Sequence, residues 1–354
     1  MPAPVLVINP GSTSTKIAIW GMEGALMQKS IQHSAAELAK HPLVTEQMQL
    51  RLTAVQNSVT EWLVPGKLSA VVGRGGPLRP LEGGTYKINE HMLEDLRSGK
   101  YSNHASNLGA ILADYFARKL NIPCYVVDPV TVDEFIPPAR ISGMPEIQRK
   151  CRSHALNIRA VAREVAAKLG KKLEQTTFVV AHMGGGLSIC ALQGGKIIDV
   201  NDGLLGMGPF SPERAGALPI GALVELCFSG TFTKENLLAK LSTGSGLMAY
   251  LGTSNCADVE RDIEAGDGNA KLYYDAMLYQ IAKEIGAIAA SLKGKFDAII
   301  LTGGMANSAY LLDTLKGYVS FLGKIFVIPG EKEMEALALG AFRVLEGKEQ
   351  AKTY

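Results

Sequence analysis

Paired cysteines are missing from this chain. Its five cysteines (Cys124, Cys151, Cys190, Cys227, Cys256) are odd in number, far apart and never spaced Cys-x-x-Cys, which fits a reducing compartment better than a disulfide framework. His-x-x-x-His is absent as well, so zinc has no support. An excess of one charge is also missing. The 36 basic and 34 acidic residues are interspersed and leave a formal net charge of +2, so there is no basic field for a nucleic-acid backbone or an anionic membrane. Any anion must be bound locally. The longest uncharged stretch, Gln175–Gly195, contains His182 and three consecutive glycines, which is not a membrane span. The opening MPAPVLVIN lacks the basic region and the apolar length of a signal peptide. The expectation is a cytoplasmic protein with neither nucleic acid nor membrane as partner.

What is present suits two ordinary domains: 354 residues, 47% hydrophobic and 20% charged. Val5–Ile8 is a short apolar run, and Lys16–Trp20 resumes a strand-like pattern after a turn of small residues, so the two predict a hairpin. Phe178–Ile197 repeats the design, with His182 in the place of Asn9 and Gly184-Gly185-Gly186 as the turn. Two such hairpins about half a chain apart predict a duplicated unit. Cys124–Pro129 and Asp297–Ser308 read as later strands of the two copies. Between them, Ile158, Val161, Val165 and Leu169 follow helical spacing from an N-cap at Ser153 to a stop at Gly170; Met277, Ile281, Ile285, Ile288 and Leu292 form a second core stripe. The class is therefore α/β. The proline- and glycine-rich Phe135–Glu146 sets the expected boundary, with domains 1–150 and 151–336 and a C-terminal helix, 337–354, returning to the first.

The two turns carry the chemistry. Gly11, Ser12, Thr13, Ser14 and Thr15 present backbone N–H groups and hydroxyls with no bulky side chain in the way, which suits phosphate oxygens. The triple glycine can do the same from the other domain. A single Gly/Ser turn is usually only a turn, and it is the repetition that points to a nucleotide polyphosphate in a cleft between the halves. The P-loop pattern and a complete G-x-G-x-x-G are both absent.

VINPGSTSTK, AHMGGGLSI and LTGGMANS resemble the two phosphate loops and the adenosine loop of the acetate and sugar kinase, heat-shock cognate and actin superfamily. GRGGPLRPLEGGTY, HASNLG, SHALN and EMEALALGA resemble the butyrate kinase branch of the acetate kinase family, and together these motifs run from residue 5 to residue 341. The resemblance implies a duplicated ribonuclease-H-like, actin-like ATPase fold. It also implies reversible phosphoryl transfer from ATP, with Mg²⁺, to butyrate or a similar branched or three- to five-carbon acid, giving an acyl phosphate and ADP. A homodimer or larger homo-oligomer is expected. An actin- or heat-shock-cognate-like ATPase and a sugar kinase are the competing readings; the first needs inserted subdomains for which the length leaves little room.

Carried over residue by residue, the resemblance assigns Gly11, Ser12, Thr13, Ser14 and Lys16 to the first phosphate loop and puts Asn9 near the transferring phosphoryl. Gly184, Gly185 and Gly186 form the second loop, and Gly303, Gly304 and Asn307 the adenosine loop. Arg74 and Arg214 are the expected charge-neutralising groups, unless they are solvated surface residues. His182 either donates to a phosphoryl oxygen or satisfies the backbone at the end of a buried strand. Asp128 either orients an arginine or a metal-bound water, or caps the Pro129 turn. Either Glu333 or Glu335, both placed before the last helix, approaches Mg²⁺ with Asn9.

The chain also departs from the family. Acetate kinases carry their substrate arginine three residues before the corresponding Gly-Gly, where this chain has Val71, so Arg74 follows the butyrate branch alone. KCRSH keeps His154 but has Lys150 where the family has a histidine. In GTSNCADVE, Asn255 and Ala257 replace the aspartate and the adenine-stacking arginine of the family's nucleotide segment; Arg261 on a shifted register is the alternative stack.

Overall fold

One strand order occurs in both halves of the chain. The computed structural model describes residues 2–354, whose strands form two sheets. In the first, β1 (Val5–Pro10), β2 (Ser14–Gly21) and β3 (Gly24–Gln32) form an antiparallel meander, and β4 (Ala70–Arg74) pairs in parallel with β1. Next come β5 (Thr85–Lys87) and β6 (Cys124–Val127), with β6 parallel to β4 and β5 antiparallel on its far side. In the second sheet, β7 (Thr177–Met183), β8 (Leu187–Gln193) and β9 (Lys196–Val200) repeat the meander. There β10 (Ala298–Gly303) pairs in parallel with β7, and β11 (Ile325–Pro329) with β10. A last strand, β12 (Lys352–Thr353), pairs with β5. The orders β3-β2-β1-β4-β6 and β9-β8-β7-β10-β11 are the same topology. The fold is α/β, and the duplicated ribonuclease-H-like, actin-like arrangement is present.

The innermost strands are apolar because both of their faces are covered. Every residue of β1 and β10 is buried, as is all of β7 after its first residue, whereas the edge strand β3 has none buried. Leu6, Ile8, Ile17 and Ile19 pack in one core with Phe116. Val179, Ala181 and Ile189 pack in the other with Met277, Ile281, Ile285, Ile288 and Leu292, so that stripe is core as expected. Among the described residues no helix is long and apolar enough to cross a membrane.

Compact packing gives two units. One runs to Val132 and is rejoined by Lys332–Tyr354; the other is Asp133–Glu331. Residues 133–150 therefore pack with the second unit, because they run along β9: the Ile136 N–H donates to the Ile198 carbonyl at 3.1 Å, and Arg149 pairs with Asp199 at 2.8 Å. The final helix is Glu333–Leu345 and stops before β12, so Glu333 and Glu335 lie in its first turn, where acidic side chains oppose the exposed N–H groups. The helix Ala155–Lys168 is capped by His154, one residue later than Ser153, and the His154 N–H donates to Ser188 Oγ at 3.3 Å. Gly170 follows its C-cap with φ of 69°, as a stop requires.

Candidate active site

In the first unit the β1–β2 hairpin closes with the Gly11 N–H donating to the Ser14 carbonyl at 2.7 Å, which leaves Ser12 and Thr13 exposed at the tip. Asn9 lies opposite Lys16 in the ladder. Its Nδ2 donates to Glu333 Oε2 at 2.8 Å, and Arg74, at the end of β4, donates through Nη1 to Glu333 Oε1. Burial works to raise the Glu333 carboxyl, but Arg74, the Asn9 amide and the more distant Lys16 outweigh it and hold the group below the usual carboxylate range. Of the two glutamates it is Glu333 that meets Asn9, whereas Glu335 lies 3.7 Å from Lys332. The His104 pKa is lowered by burial and then by the Arg74 charge. Asp128 is buried, and its Oδ1 accepts the Gly84 N–H at 2.7 Å.

In the second unit the Gly184–Gly186 turn follows β7, and His182 stands one rung before the end of that strand, as Asn9 does in β1. Asn157 Nδ2 lies 2.9 Å from His182 Nδ1 and 3.2 Å from Thr302 Oγ1. With the amide nitrogen as donor, Nδ1 accepts and the ring carries its proton on Nε2. That nitrogen faces the turn: a Cβ built on Gly184 would lie 3.7 Å from it. The ring of His154 stacks on His182 at 4.0 Å, with its own Nδ1 2.9 Å from Ser188 Oγ.

Arg214 reaches the same turn. A Cβ on Gly186 would fall 2.0 Å from its Nη1, so only glycine lets the guanidinium lie there. Nη1 donates to the Gly203 carbonyl, while Nε is buried with no partner among the described residues. Burial pulls the Arg214 pKa down, but an arginine remains a cation. Ser211 Oγ donates to the Gly185 carbonyl at 2.6 Å and accepts the Arg214 N–H at 3.1 Å, which ties the arginine's own loop to the turn.

A cleft of about 510 Å³ opens beside this turn. Its lining brings together Gly184, Gly185, Asn255, Ala257, Gly304 and Asn307, with Glu260 and Glu331 among the other groups. Gly303 sits just behind, at φ of 92°, where a Cβ would lie 2.2 Å from the Met183 carbonyl; this close approach brings the β10 turn against β7. Asn307 Nδ2 donates to the Gly304 carbonyl at 2.9 Å and closes that turn. Asn255 caps the helix Cys256–Glu264, its Oδ1 accepting the Ala257 N–H at 3.1 Å. Arg261 is not in the lining: it pairs with Asp258 and its side chain is 73% exposed.

Three residues escaped sequence reasoning. Arg51 lies behind the first turn; no motif marks it, because one arginine on an amphipathic helix carries no signal. Asn157 orients His182, and SHALN holds it without showing where its amide points. Glu260 accepts hydroxyl protons from Tyr274 and Ser308, each at 2.6 Å, at the wall of the cleft.

Solved structures share this fold. The acetate kinase of Porphyromonas gingivalis superposes with a TM-score of 0.78 at 19% identity, over 97% of this chain and 100% of that one. A propionate kinase from Francisella tularensis gives 0.72 at 20%, over 96% and 98%. The acetate kinase of Entamoeba histolytica gives 0.75 at 17%, over 96% and 99%. The family model described as the acetokinase family matches residues 146–331, which include the Gly184–Gly186 turn, Arg214 and the cleft. With that match over more than half its length, the chain belongs to the acetokinase family, phosphotransferases with a carboxyl group as acceptor.

Proposed function

We propose that this protein is a cytoplasmic ATP-dependent kinase of short-chain carboxylates, with butyrate or a similar branched or three- to five-carbon acid as the preferred acceptor. The observation that carries the reading is the cleft of the second unit, where the triple-glycine turn, the Gly304–Asn307 turn and Asn255 converge. Adenosine binds in that cleft, and the phosphate turns take the polyphosphate. A carboxylate oxygen attacks the γ-phosphorus, the bond to the bridging oxygen breaks, and its electron pair leaves on ADP. Such a transfer asks the protein to position the reactants and neutralise charge. Beside the glycine turn Arg214 has a buried Nε–H without a partner among the described residues, a preorganised donor for a phosphoryl oxygen. His182 offers a second donor through Nε2, held in orientation by Asn157. Arg74 is the corresponding cation of the first unit, aimed by Glu333.

The residues fit Mg²⁺ in one way only. Among the described residues no three acidic, histidine or cysteine groups gather to cage a metal, and both Glu333 oxygens are already engaged by Asn9 and Arg74. Mg²⁺ commonly keeps several waters and is bound largely through substrate phosphates. Asn9 and Glu333 would therefore hold its waters, and the ion, when bound, neutralises polyphosphate charge.

Trapping with hydroxylamine tests the whole reading, because an acyl phosphate yields a hydroxamate whereas a sugar phosphate or an ATPase cycle does not. ATP-dependent hydroxamate should form with a four-carbon acid about fifteenfold more efficiently, in kcat/KM, than with acetate. Two extra buried methylenes at about 0.8 kcal/mol each give that factor. Equal or better efficiency with acetate refutes the butyrate preference, and absence of hydroxamate with every acid refutes the carboxylate kinase.

A further inference from the structure

The first phosphate turn is held from behind by a buried cation. Arg51, on the helix Met48–Val59, is fully buried, and its five guanidinium N–H groups make five hydrogen bonds to four acceptor atoms. Nη1 donates to the Ser14 carbonyl and Thr15 Oγ1, both at 3.0 Å. Nη2 donates to the Ser12 carbonyl at 3.2 Å and Gln47 Oε1 at 3.0 Å, and Nε donates to Gln47 Oε1 at 3.2 Å. Every acceptor is neutral. The remaining carbonyl of the tip, Thr13, takes the His33 N–H at 2.8 Å, and the His33 pKa is lowered by burial and then by the Arg51 charge.

Two consequences follow. The carbonyls of Ser12, Thr13 and Ser14 are all drawn back into the protein, while the amides of Ser12 and Thr13 meet no acceptor among the described residues and stand at an exposed tip. The guanidinium also carries a charge that no carboxylate cancels, in a desolvated position where its field is weakly screened. Burying such a cation is costly unless something compensates it, and an anion bound at the free amides would do so.

We propose that Arg51 is a positioning residue for nucleotide phosphate: it holds the Ser12 and Ser14 carbonyls inward, so that the Thr13 amide, in the same peptide plane as the Ser12 carbonyl, points outward at the exposed tip, and it adds a buried positive charge behind the turn. This rests on reading Gly11–Thr13 as a phosphate turn. The test is calorimetric titration of the full-length protein and its R51Q and R51K variants with adenosine, AMP, ADP and ATP at fixed Mg²⁺. Wild type should gain affinity at each added phosphate. In R51Q the gain from AMP to ATP should shrink by about tenfold, equivalent to about 1.4 kcal/mol, with adenosine affinity unchanged. R51K keeps the charge but not the fork and should fall between. A merely structural role lowers thermal stability and leaves the phosphate ladder intact, so a wild-type ladder in R51Q overturns the inference. If R51Q does not fold, a wild-type ladder in R51K does the same. A wild-type protein that gains nothing from added phosphates sinks the phosphate-turn reading itself.

Discussion

The two hairpin turns occupy the same place in the same topology, yet they are built from opposite materials. The first is made of hydroxyl-bearing residues, with its cation, Arg51, sealed behind the backbone and Asn9 drawn toward the Glu333–Arg74 pair. The second is made of glycine, with its cation, Arg214, packed directly against the backbone and a histidine where the first unit has asparagine. At Gly186 the missing Cβ is the space that Arg214 fills. In the first turn the guanidinium of Arg51 instead bonds the Ser12 and Ser14 carbonyls, so the two copies keep one strand order while their cations meet the backbone differently.

The comparison is broken most directly by removing a cation. Alanine at Arg214 or at Arg74 should each lower kcat by about 10²-fold or more with the fold retained; a near-native kcat would leave that arginine only its structural contacts with Gly203 or Glu333. Gly186→Ala is a finer probe. The atom it would strike is the far end of a flexible side chain, so the fold should survive while the guanidinium is pushed off the turn, costing about tenfold in kcat. Combined with Arg214→Ala, it should add little, because both changes remove the same contact. Independent, multiplying effects in steady-state kinetics would show that Gly186 matters for another reason.

A smaller effect is expected at the cleft. Ala257 is exposed in the lining, where the family's arginine would lie against adenine, a contact worth about 0.5 to 2 kcal/mol. Ala257→Arg should lower KM for ATP several-fold with kcat nearly unchanged, the mark of a ground-state contact. With Arg261 directed to Asp258, removing Arg261 should leave ATP affinity as it was; the reverse pattern would restore the shifted register.

The smallest effect is on stability. Because the folded Glu333 carboxyl is held below its unfolded value, its contribution is fully present above the unfolded pKa, about 4.3, and is lost as pH falls through the lower folded value. Melting temperature measured against pH should therefore fall less steeply on acidification in Glu333→Gln than in wild type. Identical slopes would mean that Arg74 and Asn9 do not hold this carboxylate ionised.

Periodicity and turn chemistry were enough for the local design. The hairpin at Val5–Trp20, its copy at Phe178–Ile197 and the stripe from Met277 to Leu292 are visible in the residues, because a strand alternates every two and a helix recurs every 3.6 whatever surrounds it. The sequence by itself therefore determined two α/β halves, each with a small-residue turn at the same place in its first hairpin. Long-range packing decided the rest. Glu333 rather than Glu335 meets Asn9 because helix Glu333–Leu345 packs on β1, β4 and β6. Residues 133–150 join the second unit because they bond along β9, which no composition shift announces. Arg51, Asn157 and Glu260 act through contacts with residues far away in the chain, and a side chain's partner across such a distance is set by how the elements stack, a property that no local window of sequence contains.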